Sequence, residues 1–76
     1  MTESIQALMS AKAYQESRAH LFPSTQSLSW FIRTHRQELI DGGALHVIAG
    51  RNVLQEAKTD EVVLAIGRQS AQRAAA

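Results

Sequence analysis

The segment between residues 24 and 40 carries side chains suited to contact with nucleic-acid bases and phosphates. Apolar residues recur there at helical spacing, at positions 28, 31, 32 and 39, which predicts a helix with a polar opposite face. That face contains no acid before Glu38 and comprises Gln26, Ser29, Trp30, Arg33, Arg36 and Gln37. Arginine can pair with guanine edges, glutamine with adenine, and serine with bases or phosphate. The pattern predicts a recognition helix over residues 24–40, and a solvated polar face is the alternative interpretation.

Both ends of this predicted helix carry a recognisable signal. Ser24 or Thr25 is the predicted N-cap. Because the first backbone N–H groups of a helix favour an anion, we count both residues as candidate DNA contacts beside Gln26. Gly42-Gly43 is expected to end the helix, since glycine accepts the left-handed conformation of a C-cap.

Residues 44–55 predict a β-hairpin directly after the helix. Ala44 to Ile48 has the pattern of a strand, residues 49–52 carry turn chemistry, and Val53-Leu54 begins the return strand. A hairpin in this place has the character of a wing, whose basic tip can reach a phosphate or a minor groove. Arg51 and Asn52 are therefore candidate DNA contacts; turn geometry alone would explain Asn52 but not Arg51.

Two further helices are predicted on either side of this unit. A helix over 3–18 begins at Thr2 as N-cap, and a third helix spans 56–70 before a frayed tail at 71–76. Pro23 interrupts the helical pattern, so Leu21-Phe22 forms either a short extended segment or a plug in the core.

The predicted fold is α+β, a single winged-helix-like domain over 1–76 with the order helix, short strand, helix, β-hairpin, helix. Trp30 and Phe31 cannot both enter one narrow core. Trp30 is expected to cover the hairpin or the first helix, and an exposed Trp30 would instead mark a contact surface.

Composition argues against several classes of function. The chain has 76 residues, a net charge of +1 and no cysteine. It contains no Gly-x-Ser-x-Gly or phosphate-binding glycine motif, and His20, His35 and His46 match no zinc signature. We expect no catalytic residues, no metal, no cofactor and no enzyme activity. No apolar run approaches the roughly 20 residues of a membrane span. We expect no membrane partner, and a cytoplasmic location in a prokaryotic cell, on the nucleoid when bound.

The distribution of charge is more informative than its sum. The stretches 17–37 and 42–55 contain no acid, and neither does the chain after Glu61. The first of these stretches includes Arg18, Arg33 and Arg36. Arginine is the cation better suited to bidentate contact with phosphate and guanine. A nearly neutral chain can thus present one basic face.

Residues 21–70 resemble the excisionase-like winged-helix proteins of mobile elements, which include recombination directionality factors. The resemblance is carried by Leu28-Ser29-Trp30-Phe31-Ile32-Arg33, Glu38-Leu39-Ile40-Asp41-Gly42-Gly43-Ala44-Leu45, Gly50-Arg51-Asn52-Val53-Leu54 and Val62-Val63-Leu64-Ala65-Ile66-Gly67-Arg68. The predicted first helix is longer than is usual in that family, and polar Thr59 lies where many members have an aromatic residue.

The resemblance implies a protein that binds double-stranded DNA at repeated sites, bends it and biases an integrase toward excision; some members also repress promoters. It implies groove or backbone contacts by Gln26, Ser29, Arg33 and Arg36, and a wing contact by Arg51. Self-association on DNA is compatible with so small a core. Excision factor and small repressor are not separable from the sequence.

Two other functions stay open. The aromatic pair Trp30-Phe31, the small net charge and the small size are also typical of a protein-interaction module, such as an inhibitor or adaptor encoded by a phage or plasmid. RNA binding is the third hypothesis, and it lacks an exposed aromatic strand pair of the kind that RNA-recognition sheets present.

Overall fold

The computed structural model of the protein describes residues 7–75. Its elements are β1 Leu8–Ser10, α1 Ala11–Ser17, α2 Thr25–Thr34, α3 Arg36–Asp41, β2 Leu45–Ile48, β3 Arg51–Gln55 and α4 Glu56–Ala75. The strands of this part of the chain form one antiparallel sheet in the order β1-β3-β2. The predicted α+β class is therefore correct, although the order of elements differs from the prediction.

The N-terminal half of the first predicted helix is wrong within the described residues. Residues 8–10 form β1, which pairs with β3 and places Met9 opposite Leu54. The helix begins only at Ala11, where the Ser10 hydroxyl accepts the N–H of Ala13 at 3.1 Å. The cap at Ser10 favours a helix that begins at Ala11, and the weak apolar stripe before it does not extend the helix further back. Strand β1 forms because it pairs with β3, which lies far along the chain. The predicted Thr2 cap and residues 3–6 lie outside the described residues.

The connection between α1 and α2 is a turn with a buried aromatic side chain. Residues 18–21 turn, so no extended segment forms at Leu21-Phe22. Phe22 instead enters the core, with its ring centroid 6.4 Å from that of Tyr14 and 5.3 Å from that of Phe31. The second of the two sequence interpretations, a plug in the core, is the one observed.

The helix predicted over 24–40 is broken at His35. The backbone of His35 has φ −116° and ψ 32°, and it separates α2 from the short α3. Hydrogen bonds from His35 N–H to Phe31 O and from Leu39 N–H to His35 O span the break. The change of direction lets Leu39, which is fully buried, pack with α3 against β2 and α4. The predicted stop is confirmed, with Gly43 in the left-handed region at φ 73°.

The predicted hairpin is confirmed, with a tighter turn. Ala49 and Gly50 both have positive φ, 54° and 75°, which is the geometry of a two-residue type I′ turn. Arg51 and Asn52, which were predicted to belong to the turn, are the first residues of β3 and pair with Ile48 and Val47.

The core lies between one face of the sheet and the helices. Its buried cluster consists of Tyr14, Phe22, Leu28, Ile32, Leu39, Ala44, Leu45 and Leu54. Helix α4 continues to Ala75, beyond the predicted end at Ser70, because its alanine-rich terminus favours helix over the expected frayed tail. Side chains 67–74 of α4 are all exposed, so this part of the helix extends past the core. Within residues 7–75, no helix combines the length and apolarity needed to cross a membrane.

Candidate nucleic-acid interface

Helix α2 begins with a reciprocal cap at the serines. The Ser24 hydroxyl accepts the N–H of Ser27 at 3.2 Å, and the Ser27 hydroxyl accepts the N–H of Ser24 at 3.2 Å. This capping box fixes where the helix starts. Ser24 is thus the N-cap, and its hydroxyl is already bonded within the fold. Thr25 and Gln26 occupy the first turn, where backbone N–H groups lack carbonyl partners inside the helix.

The outer side of α2 carries three of the predicted contact residues together with Trp30. Leu28 and Ile32 are buried toward the core. At about 100° per residue, Gln26, Trp30 and Arg33 lie on the opposite side of the helix. Gln26, Arg33 and Ser29 are exposed, Ser29 at the edge of this stripe. We call Gln26, Ser29, Trp30 and Arg33 the α2 outer face.

Trp30 is 60% exposed. The expectation that it covers the hairpin or the first helix is therefore wrong. Its neighbour Phe31 takes the inward position and packs edge-on against Phe22 and at 4.8 Å, centroid to centroid, against His35. Trp30 thus faces solvent and the next residue, Phe31, packs against the core, a division that the spacing of about 100° between adjacent helix residues allows.

The Arg33 side chain makes no hydrogen bond or ion pair with any other residue in the described range 7–75. Helix α2 itself contains no acid. The guanidinium is thus left to solvent or to a ligand, and an anion approaching the α2 outer face meets no carboxylate on that helix.

Arg36 and Gln37 belong to α3, beyond the break, so the single face that the sequence predicted is divided. The Gln37 side-chain amide donates to Asp41 Oδ1 at 2.8 Å. His35 Nδ1 lies 3.0 Å from Glu38 Oε1. Arg36 is exposed and has no polar partner in the described part of the chain. This second region is mixed in charge, and Gln37 is committed to a contact inside α3.

Arg51 and Asn52 both lie exposed at the start of β3. Because successive strand residues point to opposite faces, Asn52 shares a face with the buried Leu54 and Arg51 shares the other with Val53. The two side chains cannot both face one groove from the same side of the hairpin.

The charge pattern grouped Arg18 with the arginines of a basic face, but the structure does not place it there. It belongs to the acid-free stretch 17–37, yet its guanidinium donates to Glu56 Oε2 at 2.8 Å and to Asp60 Oδ1 at 3.0 Å. It also lies 4.8 Å from the centroid of the Tyr14 ring, and its side chain is 18% exposed. Arg18 therefore ties the end of α1 to the first turns of α4 and is unavailable to a ligand.

The same cluster shifts the acidity of two of its members. Hydrogen bonds from Arg18 hold the pKa of the Asp60 carboxyl below its ordinary value, against a smaller opposing effect of burial. Burial raises the pKa of the Tyr14 hydroxyl, and the hydrogen bond that it donates to Asp60 at 2.7 Å raises it further. The signal that could have revealed the cluster is the acidic start of α4, although the helix dipole alone also favours acids there.

The remaining ionisable groups leave the α2 outer face basic. Within residues 7–75 the acids lie on α1, α3 and α4, and neither α2 nor the hairpin has one. No three His, Asp or Glu side chains in that range are grouped so that they could hold a metal ion. Comparison with protein-family models, curated proteins and solved structures finds no match to this chain.

Proposed function

We propose that this protein binds double-stranded DNA in the manner of a winged-helix protein, with α2 in the major groove and the β2–β3 hairpin as its wing. The observation that carries the proposal is the α2 outer face, an acid-free stripe whose arginine has no partner among the described residues. Such a stripe matches the acceptor edges of guanine and adenine and the phosphates beside them.

The elements around α2 support the same function. A seven-residue α1, a turn at 18–21 and a ten-residue α2 that packs against α1 make a compact helical pair. The first helix is short, which brings it closer to the excisionase-like pattern than the predicted helix over 3–18. A hairpin follows, and β1 pairs with its second strand, which fixes the hairpin to the body of the domain.

The candidate residues have different roles in this proposal. Gln26, Ser29 and Arg33 contact base edges, since they lie on the outer face of the helix. Backbone N–H groups at Thr25 and Gln26, in the first turn of α2, receive a phosphate, whereas the N–H of Ser24 is already donated to the Ser27 hydroxyl. The exposed cations and amides outside α2, Arg36, Gln37, Arg51 and Asn52, contact the backbone or the adjacent minor groove. Gln37 can do so only by releasing Asp41.

The proposal has two forms, an excision factor and a small repressor. An excision factor would have an integrase as its partner, and either form could self-associate on DNA. The prokaryotic cytoplasm is the corresponding location. Both forms predict binding to DNA near the gene that encodes the protein.

The test is a gel shift on that flanking DNA across a salt series. We expect affinity to fall linearly with salt on logarithmic axes, with a slope of about 0.9 for each phosphate contact. Laddered complexes would indicate several copies on one fragment. The absence of a shift at low salt, even with non-specific DNA, would reject the proposal.

A protein-interaction module is the second candidate function. It is favoured by apolar side chains outside the core: Leu21 and Leu64 are 55% and 60% exposed and line a cleft of about 380 Å³ between the α1–α2 turn and α4. Exposed apolar surface of this kind is typical of protein contacts. Failure of DNA binding at low salt would make this the preferred function.

A further inference from the structure

Trp30 lies in the middle of the α2 outer face, and the fold itself gives it no role. It follows the buried Leu28 by two residues, which places it about 200° around the helix from the core. Its side chain makes no hydrogen bond or ring contact with the residues that the structure describes. A large apolar side chain that is 60% exposed there is a contact group without its contact.

The neighbours of Trp30 indicate what that contact is. Gln26 precedes it by four residues and Arg33 follows it by three, so all three side chains are adjacent on the helix surface. A protein partner would have to place acceptors opposite both Gln26 and Arg33, whereas the major groove offers acceptors to both polar residues along every base pair. The one apolar group that B-DNA presents in that groove is the 5-methyl of thymine.

We propose that Trp30 packs against thymine 5-methyl groups, between the bases that Gln26 and Arg33 contact, and so determines part of the sequence specificity. This inference rests on the proposed DNA-binding function. It adds thymine, at the centre of the contacted sequence, to the adenine and guanine that the polar residues select.

The first experiment replaces thymine by uracil, which removes the methyl group and leaves base pairing intact. The preferred site is selected from a random duplex pool with the intact protein, and each thymine is then replaced singly. We expect replacement at one or two central positions to weaken wild-type binding about fourfold each, as the transfer free energy of one methyl-sized group predicts.

Trp30→Ala provides the second arm of the cycle. At the sensitive positions this variant should bind thymine and uracil duplexes equally, because its contact with the methyl group is gone. Leu64→Ala is the matched control: it removes an apolar side chain that is also 60% exposed but lies on α4, outside the proposed interface, and it should keep the wild-type discrimination. A thermal melt equal to that of the wild type shows that Trp30→Ala is folded.

The fluorescence of the chain gives an independent readout, since Trp30 is its single tryptophan. Quenching on the thymine site, and less quenching on the uracil site, would support the contact. Sequence-selective binding without any thymine–uracil difference, or with unchanged fluorescence, would overturn the inference and leave DNA binding standing. No binding to any duplex would overturn the proposed function, and the inference with it.

Discussion

Arg18 and Arg33 come from the same acid-free stretch of sequence and have opposite fates in the fold. The Arg18 side chain is mostly buried and bonded to two carboxylates on α4, whereas Arg33 is exposed with no partner in the described residues. Both arginines belong to the acid-free stretch 17–37, so the charge pattern does not separate them. The difference is made by Glu56 and Asp60, which approach Arg18 from about 40 residues along the chain.

The comparison separates arginines that stabilise the fold from arginines that are left for a ligand. Four side-chain hydrogen bonds and an aromatic ring hold Arg18 in place, so its removal is expected to lower the stability of the fold. No described residue forms a hydrogen bond or ion pair with the Arg33 guanidinium, so its removal is expected to leave the fold intact and, under the proposed function, to weaken ligand binding. A cluster of basic residues in a sequence therefore predicts a binding surface only for those members that form no ion pair with acids elsewhere in the same protein.

The largest expected effect is on stability, from a substitution in the core on which both the Arg18 cluster and the α2 outer face depend. Leu39 is fully buried, so Leu39→Ala should lower the free energy of unfolding by about 2–5 kcal/mol and unfold most of so small a domain. Chemical denaturation followed by circular dichroism measures it. Ile40→Ala is the matched control, because Ile40 is 44% exposed and should cost far less. Equal losses in the two variants would show that α3 does not pack as described.

The Arg18 cluster should affect stability and leave DNA binding unchanged. Asp60→Asn removes the carboxylate that accepts from both Arg18 and Tyr14, and we expect a loss of about 1–3 kcal/mol in the free energy of unfolding. Glu61→Gln, at the next and exposed position, should have almost no effect. Reduced DNA affinity in a folded Asp60→Asn protein would break the division between the two arginines.

Substitutions on the α2 outer face should weaken DNA binding and leave stability unchanged. Arg33→Ala is expected to weaken binding to the preferred site by about 1–3 kcal/mol, the value of a lost base contact, while stability changes by less than about 0.5 kcal/mol. Gel shifts and melts measure the two quantities. Arg68→Ala is the charge-matched control on the exposed part of α4. An equal loss in both variants would indicate a general charge effect, and unchanged affinity in Arg33→Ala and Arg36→Ala would reject the recognition face.

The sequence predicted those parts of the molecule whose structure depends on residues close to them in sequence. The N-cap at Ser24, the apolar side of α2, the stop at Gly42-Gly43 and the hairpin all follow from local signals. Strand β1 could not be predicted, because it exists through pairing with β3. The break at His35 had no glycine or proline to mark it.

The candidate site was predicted in part for the same reason. Helical spacing placed Gln26, Ser29 and Arg33 on the outer face correctly, since spacing is a local property. It joined Arg36 and Gln37 to that face only by assuming an unbroken helix. The same spacing placed Trp30 on the polar face, but the expectation that it covers the hairpin or the first helix was wrong, since its side chain is 60% exposed.

The smallest expected effect is the pH dependence that distinguishes the two arginines. Because the folded-state pKa of Asp60 is lowered by Arg18, the folded protein binds that proton more weakly than the unfolded chain does. The stabilisation is therefore complete above the ordinary carboxyl pKa of 3.8 and is lost as the pH falls through the lowered value. The difference in unfolding free energy between wild type and Asp60→Asn should be constant from about pH 6 to 8 and should shrink below about pH 4.

Denaturation at a series of pH values measures how far this difference shrinks; the shrinkage is only a part of the whole loss, because solvent screens the ion pair of an Asp60 side chain that is 40% exposed. Arg33→Ala is the control, since no carboxylate is paired with Arg33 in the described residues and its stability should follow the wild-type curve at every pH. A stability difference for Asp60→Asn that stays constant down to about pH 2 would show that the Arg18 pair does not stabilise the charged carboxylate. A difference that closes in acid for Asp60→Asn alone would confirm that Arg18 is held by the fold while Arg33 is not.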